Sequence, residues 1–298
     1  MIHSHRRSIL WLAPFLFVLA AAASLFAQSK PFDHVVVVPV ANMYSGTTED
    51  ADVVSQAILS TNVVTMEKQG DWMKIRTPDQ YPGWMRTADL QSITDPSGYA
   101  SSGKVVQVES MFANLYRETD VTVHRPLMTV PFETRLEVTE EGKDEDGRWL
   151  KVRLPDGRSA WVQRGDITFD SKTLTIAESI VLGRRFLGVP YLWGGRSTYG
   201  YDCSGFTQML VRSRGINMPR DADLQAAWEG VVPVERKDLQ AGDLLFFGGS
   251  PTNITHTAMY IGNGEFIHAT VHDHPVVQIS RLDDQPWTRI LVACRRVK

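Results

Sequence analysis

The stretch "YDCSGFTQML", Tyr201–Leu210, contains one of only two cysteines in a chain of 298 residues. With its continuation, "DCSGFTQMLVRSRG" reads as a helix closed by Gly215, which puts Cys203 in the first turn. A thiol is mostly protonated at neutral pH, with pKa ~8.5, and the unpaired N–H groups of a helix start lower that value. A neighbouring imidazole does the same. Two histidines downstream, His256 and His268, fall on successive predicted strands of one hairpin, "HTAMYIGNGEFIH". Nucleophile, base and a residue that orients the base are the parts of thiol catalysis.

The surroundings of this stretch set the domain class. Upstream, "SKTLTIAESIVLGRRFLG" places Ile176, Ile180 and Val181 at helical spacing and then stops on glycine. Downstream, "GDLLFF", "HTAMYIG", "EFIHAT", "VVQIS" and "ILVACRRV" read as strands. Helices followed by antiparallel strands make an α+β domain over residues 171–298. For the two histidines to meet, the hairpin needs a three-residue loop, Gly262–Gly264. A two-residue Asn263-Gly264 loop sends them to opposite faces.

The N-terminal half repeats itself. "ANMY" at Ala41–Tyr44 returns as "ANLY" at Ala113–Tyr116, and Trp72 and Trp84 align with Trp149 and Trp161. Five extra residues in the second copy fit a longer hairpin around "EEGKDEDGRW". Short alternating stretches split by turn residues read as small antiparallel barrels, over 31–93 and 104–168. The tryptophans read as barrel core. "TDPSGYASSG", Thr94–Gly103, is the polar joint between the copies.

Residues 1–27 have the three-part layout of a secretory signal: basic "MIHSHRR", an uncharged apolar run, then small residues to Ala27. Export to the periplasm or exterior is expected, with no stable membrane insertion after cleavage and no lipid anchor. Cleavage removes Arg6 and Arg7 and no acid, moving the formal charge from −3 to −5. An acidic mature chain argues against nucleic acid. With two cysteines, at most one disulfide forms; the setting of Cys203 favours a free thiol, with Cys294 a buried strand residue. His268, His272 and His274 have ligand-like spacing, but nothing completes a metal set, and no cofactor is expected.

"GVPYLWGGRSTYGYDCSGF", "GINMPRDADLQ", "AGDLLFF", "THTAMYIGNG" and "FIHA", in this order, resemble the NlpC-type cysteine peptidases of bacterial cell walls, which share a papain-like fold. The two repeats resemble bacterial SH3 domains. The resemblance implies Cys203 as nucleophile, His256 as base, His268 as its orienting partner and Tyr191 as an oxyanion donor beside the Cys203 N–H. Asp221 and Asp243 match family positions and read as structural anchors.

Tandem SH3-like domains ahead of the peptidase are similar to the subgroup that cleaves γ-D-glutamyl-diamino-acid bonds in murein stem peptides with a free N-terminal L-alanine. A free ammonium needs a carboxylate, and Asp202 adjoins the nucleophile. Ser204 offers a second acceptor and Trp193 a flat wall. Tyr81 matches the barrel tyrosine that closes the pocket, and Asp52 falls where an acidic partner to the amine is expected. Ala222 departs from the serine that family members often carry in "PRDS". The first repeat is expected to contact the cleft, the second to act mainly as a spacer, and the protein to work as a monomer. A bell-shaped pH profile is expected, limbed by histidine near ~6.5 and the substrate amine near ~8. A related cysteine amidase or acyltransferase, or a wall-binding protein, is the alternative. The first needs no acid for an amine, and the second needs no intact thiol and histidines.

Overall fold

A computed structural model describes residues 31–142 and 147–298; the expected signal segment lies outside them. The first barrel is built from β1 (His34–Val36), β2 (Val40–Tyr44), β3 (Val53–Ile58), β4 (Asn62–Gln69), β5 (Trp72–Arg76), β6 (Pro82–Arg86) and β7 (Leu90–Ser92). The second is built from β8 (Val105–Val108), β9 (Phe112–Tyr116), β10 (Met128–Pro131), β11 (Arg135–Glu141), β12 (Trp149–Arg153), β13 (Ser159–Gln163) and β14 (Ile167–Thr168). Their strand orders, β3-β2-β6-β5-β4-β1-β7 and β10-β9-β13-β12-β11-β8-β14, are one topology used twice.

The aligned aromatic residues have the same job in both copies. Tyr44 meets Trp72 edge to face at 5.4 Å, and Tyr116 meets Trp149 at 5.5 Å, both at 89°. Such pairs add about 1 kcal/mol beyond the area they bury. Trp72, Trp84 and Trp149 are buried, while Trp161 keeps an exposed edge. The two copies turn with a positive φ at Ser60 (69°) and Glu133 (70°). One of the five extra residues of the second copy therefore precedes this turn, and the rest fall in the β11–β12 hairpin.

The joint between the barrels is packed. Tyr99 and Ala100 are buried against Val35, Ile93 and Val105. The Tyr99 hydroxyl donates to the Arg153 carbonyl, and the Ala100 N–H donates to Glu137 at 3.0 Å. Leu59 of the first copy belongs to the core of the second.

The third body opens with α1 (Ile176–Arg185), held by a capping box between Thr175 and Glu178. It continues with β15 (Arg196–Ser197), β16 (Gly200–Tyr201), α2 (Cys203–Arg212), α3 (Ala222–Ala227), β17 (Val231–Pro233), β18 (Leu244–Ser250), β19 (Asn253–Gly262), β20 (Glu265–Thr270), β21 (Val276–Arg281), α4 (Trp287–Ile290) and β22 (Leu291–Val297). Six of these strands form one antiparallel sheet, β17-β22-β18-β19-β20-β21. Helix α2 is buried from Cys203 to Val211 and packs on this sheet. The fold is two small all-β SH3-like barrels followed by an α+β papain-like domain. No helix among the described residues is long and apolar enough to cross a membrane.

Both barrels dock on this body, which corrects the view of the second as a spacer. Phe132 of the second barrel joins the core of this α+β body and packs on Phe186 at 5.4 Å. Arg212 of α2 forks onto Glu133 at 2.6 and 3.2 Å. A buried phenylalanine is worth about 2 kcal/mol, too much for a passive linker. From the first barrel, Gln56 accepts from the Arg196 N–H at 3.2 Å and Asp79 accepts from Gln208 at 3.0 Å. A cavity of about 1080 Å³ lies where the three bodies meet, lined by residues such as Asp79, Glu133, Arg196 and Arg212; Cys203, His256 and His268 do not line it.

Candidate active site

Asp202 caps α2 in an extended conformation, and its Oδ1 accepts from the Gly205 N–H at 2.6 Å. This makes Cys203 the first helical residue. A side chain at Gly205 would run into the Gly195 carbonyl, 2.2 Å from where its Cβ would sit, so glycine here lets the "LWGG" loop cross the helix start. Cys203 is 7% exposed, and Cys294 is buried on β22; neither forms a disulfide.

The histidines meet, but not by the expected loop. Gly262 pairs with Glu265, so the turn is the two-residue Asn263-Gly264, with φ of 54° and 77° as a mirror-image turn requires. A bulge at Ile261 then shifts the register, so that Tyr260 faces Phe266 and Met259 faces Ile267. One extra residue in β19 returns His256 to the face of His268, which the odd loop was expected to do. His256 Nε2 lies 2.8 Å from His268 Nδ1, and His268 Nε2 lies 3.0 Å from Ser280 Oγ on β21. Trp287 packs on both rings, at 5.4 and 4.9 Å.

Electrostatics departs from the helix-start argument. Burial pushes the Cys203 thiol up to about 12, with Asp202 adding to the rise. The Thr257 and Ser204 N–H groups and Arg220 pull the other way and do not prevail. Burial also lowers His256 well below its ordinary value, although the ring keeps an edge open, and lowers His268, which is fully buried. Burial thus favours a neutral thiol on Cys203 and a neutral imidazole on His256, the residue before Thr257, whose N–H acts on the sulfur. Desolvation outweighs the partial charge of the helix terminus.

Tyr191 is half-buried, and the nearby Cys203 and Asp202 add to the burial that raises its pKa. Trp193 is 67% exposed, on the rim. Asp52 is exposed at the end of the β2–β3 hairpin, and its neighbour Val53 packs against Gly194.

Asp202 and Ser204 are not the free acceptors that adjacency to the nucleophile suggests. Arg220 donates to both Asp202 oxygens, at 3.0 and 2.6 Å, and to Ser204 Oγ at 2.8 Å. Arg220 was not singled out from the sequence; its only sign there is its place in "PRDADLQ" after the nucleophile helix. Asp221, read as a structural anchor, instead accepts from the Tyr81 hydroxyl at 3.2 and 3.0 Å. That contact joins the first barrel to the α+β body. Asp243 does act as an anchor, taking the Arg296 fork at 2.8 Å on each oxygen. Ser280 could have been found from "VVQIS", because alternation puts it on one face with Gln278, the residue paired with His268. Among the described residues no cluster of His, Cys, Asp and Glu could hold a metal ion.

A helix-start thiol packed on an antiparallel sheet that carries a histidine pair defines a papain-like thiol hydrolase. The NlpC/P60 family matches residues 188–296, a bacterial SH3 domain matches 113–168, and a bacterial dipeptidyl-peptidase SH3 domain matches 43–90. A γ-D-glutamyl-L-lysine dipeptidyl-peptidase of Bacillus cereus is 36% identical over 72% of this chain and 66% of its own length. The protein of the same name from Bacillus subtilis is 31% identical over 84% of this chain and 83% of its own. The crystal structure of an NlpC/P60 family protein from Bacillus cereus superposes with a TM-score of 0.74 at 28% identity, covering 89% of this chain and 99% of that one. The chain belongs to the NlpC/P60 family and is a cysteine peptidase.

Proposed function

We propose that the protein hydrolyses the γ-D-glutamyl-diamino-acid bond of murein stem peptides with a free N-terminal L-alanine, after export to the cell-wall compartment. The observation that carries this reading is the Tyr81–Asp221 contact. It sets a barrel residue and a carboxylate beside Arg220 and Asp202, which supports a pocket too short for a longer N-terminal chain. Asp221 supplies the carboxylate for the substrate ammonium. Asp202 is already held by Arg220. The relatives named γ-D-glutamyl-L-lysine dipeptidyl-peptidases support the same bond and a short N-terminal side.

In the reaction, Cys203 Sγ attacks the γ-carbonyl carbon while its proton passes to His256 Nδ1. His256 Nε2 faces His268, so Nδ1 is the nitrogen left for the thiol. With Nδ1 taking the thiol proton, the His256 Nε2–H donates to His268 Nδ1 and the His268 Nε2–H donates to Ser280 Oγ, a consistent pair of tautomers. The Cys203 N–H and the Tyr191 hydroxyl receive the oxyanion, a contribution of about 3 kcal/mol for one well-placed donor. The C–N bond then breaks, and the His256 proton leaves on the diamino-acid nitrogen. Water, deprotonated by the same imidazole, cleaves the thioester and restores the thiol.

The test is incubation of the mature chain with L-Ala-γ-D-Glu-L-Lys, its diaminopimelate counterpart and the N-acetylated form of each, with products weighed by mass spectrometry. Release of L-Ala-γ-D-Glu from the free-amine peptides alone supports the proposal. Equal cleavage of the acetylated forms, or cleavage of another bond, overturns it.

A further inference from the structure

The Arg220 side chain is 1% exposed and its fork reaches three segments besides its own. Nε donates to Ser55 Oγ on β3 of the first barrel at 3.1 Å. Nη1 donates to Asp202 Oδ1 at 3.0 Å and to Ser204 Oγ at 2.8 Å. Nη2 donates to Asp202 Oδ2 at 2.6 Å and to the Gly195 carbonyl at 3.3 Å. Two of the three side chains it holds, Asp202 and Ser204, are the immediate neighbours of Cys203 in the chain. Lysine could not replace it, because one ammonium cannot span a planar set of five acceptor contacts.

Taking Cys203 as the nucleophile, we propose that Arg220 is a positioning residue that cancels the charge of Asp202 beside the thiol, with Ser55 of the first barrel fixing the direction of its fork. Asp202 is needed where it stands, since it caps α2 and so sets Cys203 as the first helical residue. A capping carboxylate nevertheless places a full negative charge next to a sulfur that must become negative. The other titratable groups around Cys203 do not offset that charge: Tyr191 and the two histidines are neutral, and Asp221 carries the same sign. Arg220 is the cation paired with Asp202 among the described residues. The opposed effects on the thiol agree with this, Asp202 raising its pKa and Arg220 lowering it. The arrangement keeps the cap and removes its electrostatic penalty.

The experiment is carbamidomethylation of Cys203 in the full chain by iodoacetamide between pH 6 and 10, read by mass on the Cys203 peptide. Arg220→Met is expected to slow the second-order rate at pH 8 about tenfold, the effect of raising a thiol pKa by one unit. Asp202→Asn, which still caps the helix, is expected to speed it by about as much, because the guanidinium is then unopposed. The double variant should fall near the wild type. A merely structural role predicts slowing in both single variants, and that result overturns the proposal, as does an unchanged rate in Arg220→Met. If Arg220→Met does not fold, Asp202→Asn decides by itself: a faster rate supports the proposal, and an equal or slower one overturns it. Failure of the underlying reading shows separately, as hydrolysis retained in Cys203→Ala.

Discussion

The Tyr81 hydroxyl, on the first barrel, donates to both carboxylate oxygens of Asp221, on the peptidase body, at 3.2 and 3.0 Å. The same hairpin in the second barrel has Arg158 at this place, since Thr77 and Leu154 make the same closing bonds, to the carbonyls of Tyr81 and Arg158. One copy of a repeated barrel has thus gained, at this hairpin, a contact to the peptidase body. Burial raises the pKa of Asp221, and the Tyr81 bond partly opposes that rise. Tyr81→Phe removes a hydrogen bond to a charged group, worth about 1.5–3 kcal/mol. The expected outcome is a tenfold to hundredfold loss in kcat/KM on free-amine peptides, with little change in Tm. Unchanged kcat/KM and unchanged preference over acetylated peptides would remove Tyr81 from the substrate pocket.

Cys203→Ala should abolish hydrolysis and leave the fold in place. The sulfur is one buried atom at a helix start whose cap, Asp202, is untouched. Loss of so small a group costs about 1 kcal/mol, a shift of a few degrees in Tm. Full activity in this variant ends the thiol assignment.

The pH dependence of kcat/KM should be asymmetric, in place of a narrow bell. Burial moves the protonation of His256 well below its ordinary value and the ionisation of Cys203 up to about 12. Between these limits the dyad holds one proton, so across the neutral range its contribution is flat. The alkaline limb then belongs to the substrate ammonium, at ~8. A profile of kcat/KM measured with L-Ala-γ-D-Glu-L-Lys checks this. An acidic limb centred on the ordinary histidine value would contradict the neutral resting pair.

Stability should also respond to pH, with a sign set by the same shifts. A histidine whose folded pKa is lowered binds its proton more readily when unfolded. Its stabilising effect is complete above ~6.5 and is lost as pH falls from there towards the folded value. The raised Cys203 behaves in the mirror sense, stabilising below its ordinary value and losing this as pH climbs towards about 12. Tm should therefore fall between pH 7 and pH 5, and a His256→Gln, His268→Gln double variant should flatten that fall. Equal slopes in the two proteins would show that the histidines are not held neutral.

Ser280→Ala tests the end of the histidine chain. His268 Nε2 has the Ser280 hydroxyl as its partner at 3.0 Å, and losing it leaves a buried ring nitrogen unpaired. The expectation is a kcat about tenfold lower with KM unchanged, because the serine fixes a tautomer and does not touch substrate. A change confined to KM would place Ser280 elsewhere in the mechanism.

What the sequence determined by itself was whatever is written in local pattern or motif. Apolar spacing in "SKTLTIAESIVLGRRFLG" and alternation in the later strands gave the α+β order. The recurring "AN(M/L)Y" and tryptophan pairs gave the two barrels, and Cys203, His256 and His268 could be named from helix start and hairpin. Tertiary structure decided how these parts are charged and joined. A β-bulge carries no side-chain pattern of its own, so the histidine register rests on Ile261, while the turn chemistry of Asn263-Gly264 gives only the loop. Burial is a property of the assembled core, and it reversed the expected ionisation of the thiol. Long-range pairing is not a periodic feature either. Arg220 and Asp202 are 18 residues apart, and Tyr81 and Asp221 are 140 apart. Only the folded chain brings each pair within hydrogen-bond reach, and with them sets the partner that each carboxylate holds.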